Sequence, residues 1–346
     1  MPAPRARRPL DAPFVESAGL EIVVVHIGSR PPRYLHACLK QVQRVCGRPP
    51  VFIGPRVASR YSGSKLKAFR AAEKLSSFGL GGFWRYTCER FFVIEEHMRA
   101  TGLSRCLHVE SDNLVYVAPD SYEAWLDGTF GAGVAVCPLQ YDLDTASVMY
   151  VGSLDALARL NEALLELVRM PPTDFVTAYG GDRPNEMRML NVLRTQEHLC
   201  GGLPISPATA RACGSAQVFD AGSYGQVVDG WYWEPGVPYV DDTHLVGGEL
   251  SAGSIRLLWD ARRSTPHVLD HTGDLLPLAN LHVHSKRLQV WAPTPEARHL
   301  KAVGIPSEAT TRARVRRAAD RTLATASRLR QALSRRNEGR RHDSPE

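Results

Sequence analysis

The run Glu21-Ile-Val-Val-Val-His-Ile27 is continuously apolar and β-branched. Without polar alternation, such a run predicts a strand covered on both faces. Gly28-Ser-Arg-Pro-Pro32 ends it, and Tyr34, Leu35, Cys38, Leu39, Val42 and Val45 then recur at helical spacing. Val51-Phe-Ile-Gly54 predicts a second short strand, so the start of the chain reads strand, helix, strand. That βαβ order implies a parallel sheet whose ligands sit beyond the carboxyl ends of its strands. Residues 55–82 carry only a moderate helical pattern around Leu66 to Leu75. Trp84, Cys88, Phe91, Phe92, Glu95 and Met98 then mark an amphipathic helix reaching Arg99. Further strands are predicted at 105–109, at Gly133–Pro138 and at Ala146–Gly152. Ser153 suits the cap of a helix running to Val168, with Asp155 in its first turn. Pro184 suits the start of another that Gly201-Gly202 stops. Ile255–Trp259 and Pro266–Asp270 read as paired strands. The predicted fold class is α/β, a mostly parallel sheet flanked by helices.

Several stretches carry candidate chemistry. His108-Val-Glu-Ser-Asp-Asn113 delivers Glu110 and Asp112 two residues apart where a strand leaves the core. In extended backbone such positions face the same way. Paired carboxylates suit a hard divalent cation, Mg²⁺ or Mn²⁺, although Asp112-Asn113 is equally ordinary turn chemistry. His282, His284 and Lys286 alternate in the same manner and could offer an imidazole to a metal and an ammonium to a phosphate, or form a solvated edge. Glu186, with Asp182 near it, stands at a helix start. There it either answers the helix dipole or serves as a general base. Asp220 to Gly230 mixes an acid, three glycines and Gln226 ahead of Trp231 and Trp233. Glycine permits close backbone approach to a ligand, while Asp220 could equally cap a helix.

Charge narrows the function classes. The formal net charge is +6, yet eleven arginines against five acids lie between Ser307 and Glu346, which leaves 31 of each sign elsewhere. The body is balanced, so a basic groove for nucleic acid is not expected. From Val315 to Leu333 the tail places apolar residues on one helical stripe among arginines. That pattern suits weak contact with an anionic lipid surface, packing on its own domain, or a second subunit in a homodimer. Seven scattered cysteines without a C-x-x-C pair argue for reduced thiols and a cytoplasmic setting, peripheral at the membrane if the tail binds lipid. Residues 1–19 read as a leader too basic and proline-rich for a secretory signal. The expected organisation is thus a leader (1–19), a catalytic domain (20–295) and a basic helical tail (296–346). P-loop, dinucleotide and G-x-S-x-G motifs are absent.

The order of the β-branched first run, His108-Val-Glu-Ser-Asp-Asn-Leu-Val115, Phe219-Asp-Ala-Gly-Ser-Tyr-Gly-Gln-Val-Val-Asp-Gly230 and Asn280-Leu-His-Val-His-Ser-Lys-Arg-Leu288 resembles the GT-A class of nucleotide-sugar-dependent glycosyltransferases. The likeness spans roughly residues 20–292 and looks like a bacterial branch acting on cell-surface glycans. It implies a GT-A-like sheet, a nucleotide-sugar donor, and a glycan or lipid-linked acceptor. Glu110-Ser-Asp112 would stand for the family's D-x-D metal motif. His282 or His284 would supply the late metal ligand, and Lys286 the cation on the diphosphate. Glu186 would be the base of an inverting enzyme, and the nucleotide would lie against His26, Ile27 and Gly28. Asp220 and Gln226 would contribute contacts to the donor. Two rival readings are a sugar-phosphate nucleotidyltransferase and an inactive glycan- or membrane-binding module. The first wants a glycine-rich, lysine-bearing loop that Gly28-Ser-Arg-Pro-Pro32 does not provide.

Overall fold

Alternation along the first strand, β1 (Glu21–Val25), divides the interior in two. Ile22 and Val24 enter one apolar core, Val23 and Val25 the other. The computed structural model describes residues 20–28, 30–78, 82–181, 183–239, 242–259 and 265–292. The expected leader and basic tail helix lie outside these residues, as does Asp182.

After β1 come α1 (Leu35–Cys46), β2 (Val51–Ile53), α2 (Pro55–Ala58), α3 (Ser64–Ala72) and α4 (Phe83–Thr101). The chain continues through β3 (Cys106–Val109), β4 (Asn113–Val115), α5 (Glu123–Phe130), β5 (Val134–Pro138) and β6 (Asp144–Val151). Next are α6 (Leu154–Arg169), α7 (Pro172–Tyr179), α8 (Glu186–Thr195) and β7 (Gly201–Gly202). The central sheet has the order β2-β1-β3-β6-β5-β7. β1 pairs in parallel with both β2 and β3, and β5 with β7, whereas β6 is antiparallel to both its neighbours. This is the mostly parallel α/β sheet that the sequence predicts, with one reversed strand.

Helices cover both faces. α3, α4, α6 and α8 pack on the face that holds Val23, Val136 and Met149, and α1 and α5 on the face that holds Val24, Leu107 and Tyr150. Glu95, the acid within the apolar stripe of α4, is buried and satisfied there. It accepts from Asn161 on α6 at 2.8 Å and pairs with Lys65 and Arg99. α8 stops at Thr195, short of the expected Leu199, because His198 turns left-handed (φ 53°) and the Leu199 N–H closes back on Leu193.

The later chain packs on the α1 face. It comprises α9 (Pro207–Ala212), α10 (Ser223–Asp229), the hairpin of β8 (Gly230–Trp231) and β9 (Glu234–Pro235), and α11 (Gly247–Ala252). β10 (Ile255–Leu258), β11 (His267–Asp270) and β12 (Leu275–Pro277) form a separate antiparallel sheet, the first two in the expected pairing. β13 (Asn280–His282) then pairs antiparallel with β4, setting His282 opposite Asn113, before α12 (Leu288–Trp291). That two-stranded ribbon delivers His282 and the residues just after it to the carboxyl edge of β3. No helix among the described residues is long and apolar enough to cross a membrane.

A carboxylate and histidine corner as candidate functional site

β1 is flanked by β2 on one side and β3 on the other, so the order in which successive strands are laid down reverses at β1 although all three run parallel. Such a switch point opens a crevice beyond the strand ends. His26, Ile27 and Gly28 follow β1 there. The half-buried His26 has its Nε2 3.2 Å from the Arg30 carbonyl, and Ile27 packs against the core beneath. Across the crevice, β3 ends at Val109 and the chain turns, the Asn113 N–H donating to the Glu110 carbonyl at 3.1 Å. Glu110 and Asp112 therefore face together through a tight turn, not through the extended alternation expected from their spacing.

His282 completes the corner. Its Nε2 lies 3.2 Å from Glu110 Oε2 and 3.4 Å from Asp112 Oδ2. One ligand atom from each of Glu110, Asp112 and His282 lies within 4.8 Å of the others. The His282 Nδ1 faces the Ala221 carbonyl at 3.3 Å and donates to it; Nε2 donates to the carboxylates in the protonated ring and, once it gives up that proton, offers its lone pair to a cation. Two carboxylates and one imidazole so oriented are a donor set that fits Mn²⁺ or Mg²⁺.

Lys286 enters by a second turn, its N–H donating to the Val283 carbonyl at 2.9 Å, and its backbone is left-handed (φ 64°), uncommon outside glycine. The expected extended alternation from His282 is thus replaced by a turn that bends the ammonium back onto Asp112. Lys286 Nζ also lies 5.8 Å above the Tyr34 ring. His284 stands outside the cluster of possible ligands. Its ring lies tilted against His282, with centroids 4.2 Å apart and 41° between planes, and meets Trp231 edge-on at 5.0 Å; its buried Nε2 has no hydrogen-bond partner among the described residues.

Arg90, buried on α4, ties the corner to Glu186. Its guanidinium bonds Glu110 Oε1 through one nitrogen and Glu186 Oε1 at 2.6 Å through the other. Burial pushes the Glu186 carboxyl up to about 7; Arg90 opposes this and the Glu110 charge adds to it. Burial alone would lower His282, but Asp112 and Glu110 outweigh it and raise the imidazole to about 9. Asp112 is held well below the usual carboxylate range, since Lys286 and His282 overcome the cost of its burial. The corner is a set of three acids interleaved with three cationic groups.

Arg90 was not singled out in the sequence. Its only signal there is a charged residue beside Phe91 in an aromatic helix. Substituting Arg90→Met leaves the buried Glu186 and the partly buried Glu110 without their shared counter-charge, an effect of about 3–5 kcal/mol. The midpoint of denaturant unfolding should fall at unchanged slope; an unmoved midpoint would show that the guanidinium does not hold the two acids together.

Asp220, expected as a donor contact or a helix cap, is bound here by backbone amides. Oδ1 accepts from Gly222 N (2.7 Å) and Tyr224 N (3.1 Å), and Oδ2 from Gly225 N (3.0 Å) and His282 N (2.9 Å). With its oxygens committed to backbone, Asp220 caps α10 and fastens that helix to β13. Gly225 makes the contact possible, because a Cβ there would lie 1.8 Å from the His282 carbonyl oxygen. Gln226 is buried on α10, its Oε1 without a hydrogen-bond partner.

No family model matches the chain, and no curated protein matches it. Among solved structures it is similar to a glycosyltransferase involved in glycosylation of the major capsid of PBCV-1. The identity there is 12% and the TM-score 0.33, over 56% of this chain and 89% of the other. It is also similar to mouse xyloside xylosyltransferase 1 in its apo form, at 10% identity and a TM-score of 0.37, over 54% of this chain and 85% of that one. At these values neither likeness carries an argument about this chain.

Proposed function

We propose that this chain is a GT-A-like glycosyltransferase that moves a hexose from a nucleotide-diphosphate sugar to a hydroxyl of a glycan or lipid-linked acceptor of cell-surface type, with Mn²⁺ or Mg²⁺. The observation that carries the reading is the convergence of Glu110, Asp112 and His282 at the carboxyl edge of β3, with Lys286 beside them. Glu110, Asp112 and His282 would hold the cation, which when bound neutralises charge on a departing diphosphate. Lys286, about a third exposed (34%), can offer its ammonium to a phosphate oxygen at the same edge. The nucleoside would lie in the crevice between His26–Gly28 and Tyr34. As the acceptor oxygen bonds to the anomeric carbon, the bond from that carbon to the diphosphate breaks and the hydroxyl proton passes to Glu186. A carboxyl poised near 7 is basic enough for that transfer while about half of it stays ionised at neutral pH.

Incubating the full chain with UDP- and GDP-linked hexoses tests the reading. Slow release of nucleoside diphosphate to water is expected with Mn²⁺ or Mg²⁺, lost in EDTA and restored when the ion is returned. No release from any donor would overturn the transferase reading, and release indifferent to EDTA would overturn the metal requirement.

A further inference from the structure

The β8–β9 hairpin carries an aromatic surface that the corner itself does not use. Trp231 and Trp233 stack in parallel, with ring centroids 4.8 Å apart and 9° between planes. Tyr232 stands at 77° to Trp233 at 4.7 Å, so the two outer rings form a floor and a wall. Both face solvent, Trp233 at 63% and Tyr232 at 56% exposure. Trp231 braces them from behind, wedged against Tyr239 at 5.7 Å and His284 at 5.0 Å. The stack is backed by three rings and its outer face is open.

An unbroken series of ring contacts runs from this ledge to the acid corner: Trp233 on Trp231, Trp231 on His284, His284 on His282. Each step is 4.2–5.0 Å, which keeps the open indole within about 14 Å of the His282 ring. Arg287 lies at the base of the hairpin, paired with Asp229 at 3.1 Å and itself 45% exposed. A flat apolar floor, an aromatic wall and a nearby cluster of polar groups match one class of ligand. A pyranose has an apolar C–H face that stacks on indole and hydroxyls around its edge that need hydrogen-bond partners.

The area also favours a sugar over a protein. Two rings of about 150–250 Å² each, little more than half exposed, offer on the order of 200–300 Å². A stable protein interface takes about 800 Å² from each partner. On the transferase reading the base of a donor nucleotide would take the crevice at the end of β1 and leave the hairpin free.

We infer that Trp233 and Tyr232 form a stacking platform for a pyranose ring of the acceptor glycan. The assignment to the acceptor rests on the transferase reading; the binding of a pyranose does not. Trp233 belongs to neither the proposed metal set nor the proton-accepting site.

Saturation-transfer NMR on the full chain decides the matter, using the methyl glycosides of glucose, galactose and N-acetylglucosamine as probes. At least one glycoside should receive saturation at its ring protons, and Trp233→Ala should weaken its binding by about threefold to tenfold. Trp233→Phe should recover part of the signal. The thermal shift produced by UDP or GDP with Mn²⁺ should be the same in all three proteins. The platform is overturned if no glycoside is saturated by the wild-type chain, or if Trp233→Ala leaves the signal unchanged. It is equally overturned if that variant loses the nucleotide shift, which would make the ledge a base-stacking site, or if it converts a dimer to a monomer in sedimentation. Donor hydrolysis measured on the same proteins separates the two readings. Hydrolysis absent from both wild type and Trp233→Ala removes the transferase, while the NMR result still stands for or against the platform.

Discussion

Glu186→Gln is expected to lower transfer by about 10²–10⁴-fold, the range for loss of a general base. The substitution keeps size and the capacity to meet Arg90 while removing the basic lone pair. The pH profile carries the sharper test. With the carboxyl pushed up to about 7 by burial, and further by the Glu110 charge against Arg90, the wild-type rate should climb about tenfold per pH unit below that value and level off above it. The glutamine variant should lose this limb. Stability follows the same group with a definite sign. A folded-state value raised above the ordinary 4.5 means the folded chain holds the proton more tightly. The contribution to stability is therefore complete below about 4.5 and is lost as pH rises through about 7. An unchanged rate profile in the variant, or a product that retains the donor's anomeric configuration, would remove Glu186 from proton transfer.

Asp112→Ala is the second large effect, with turnover expected to fall by about 10²–10³-fold. It removes one of three candidate ligands and strips Lys286 of its carboxylate partner. The fold should survive, because the site-forming β4–β13 ribbon is held by backbone pairing and by Asn280, whose amide donates to Asn113 Oδ1 at 2.7 Å. Asp112→Asn, which preserves shape, should show the same loss of turnover. Mn²⁺ binding followed by electron paramagnetic resonance should weaken in both variants while the far-ultraviolet circular dichroism stays as in wild type. Wild-type affinity for Mn²⁺ in either variant would remove Asp112 from the proposed ligand set.

Much of the sheet is legible in the sequence because its strands are buried on both faces. β1 and β5 announce themselves as apolar runs, β3 as one interrupted only by His108 and β6 by its apolar second half from Val148, and α1, α4 and α6 as single stripes closed by glycine or proline. The acid pair is legible as residue types, but the reason it converges is not: a turn at 110–113 orients it, and turns are written in few residues. His282 and Lys286 are visible as a cluster, yet only the pairing of β13 with β4 shows that they arrive beside Asp112. Arg90 hides because a helix pattern records which face is apolar and says nothing of which charge that face will accept. Asp220 is ambiguous for a related reason. Its glycine-rich setting fits ligand contact and backbone capping equally well, and the structure displays the capping, through four amide hydrogen bonds.

The weld between α10 and β13 has a bearing on kinship. Asp220, the near-contact at Gly225 and Asn280 are demanded by how two backbones touch, whatever reaction occurs beside them. A descendant that had abandoned chemistry would still need them to keep its shape, whereas Asp112, Glu186 and Lys286 would be free to drift. Read together, the two sets separate common ancestry from the proposed activity: D-x-G-x-x-G with a distant asparagine marks a cousin, and the acids, His282 and the lysine mark one that would keep the proposed chemistry.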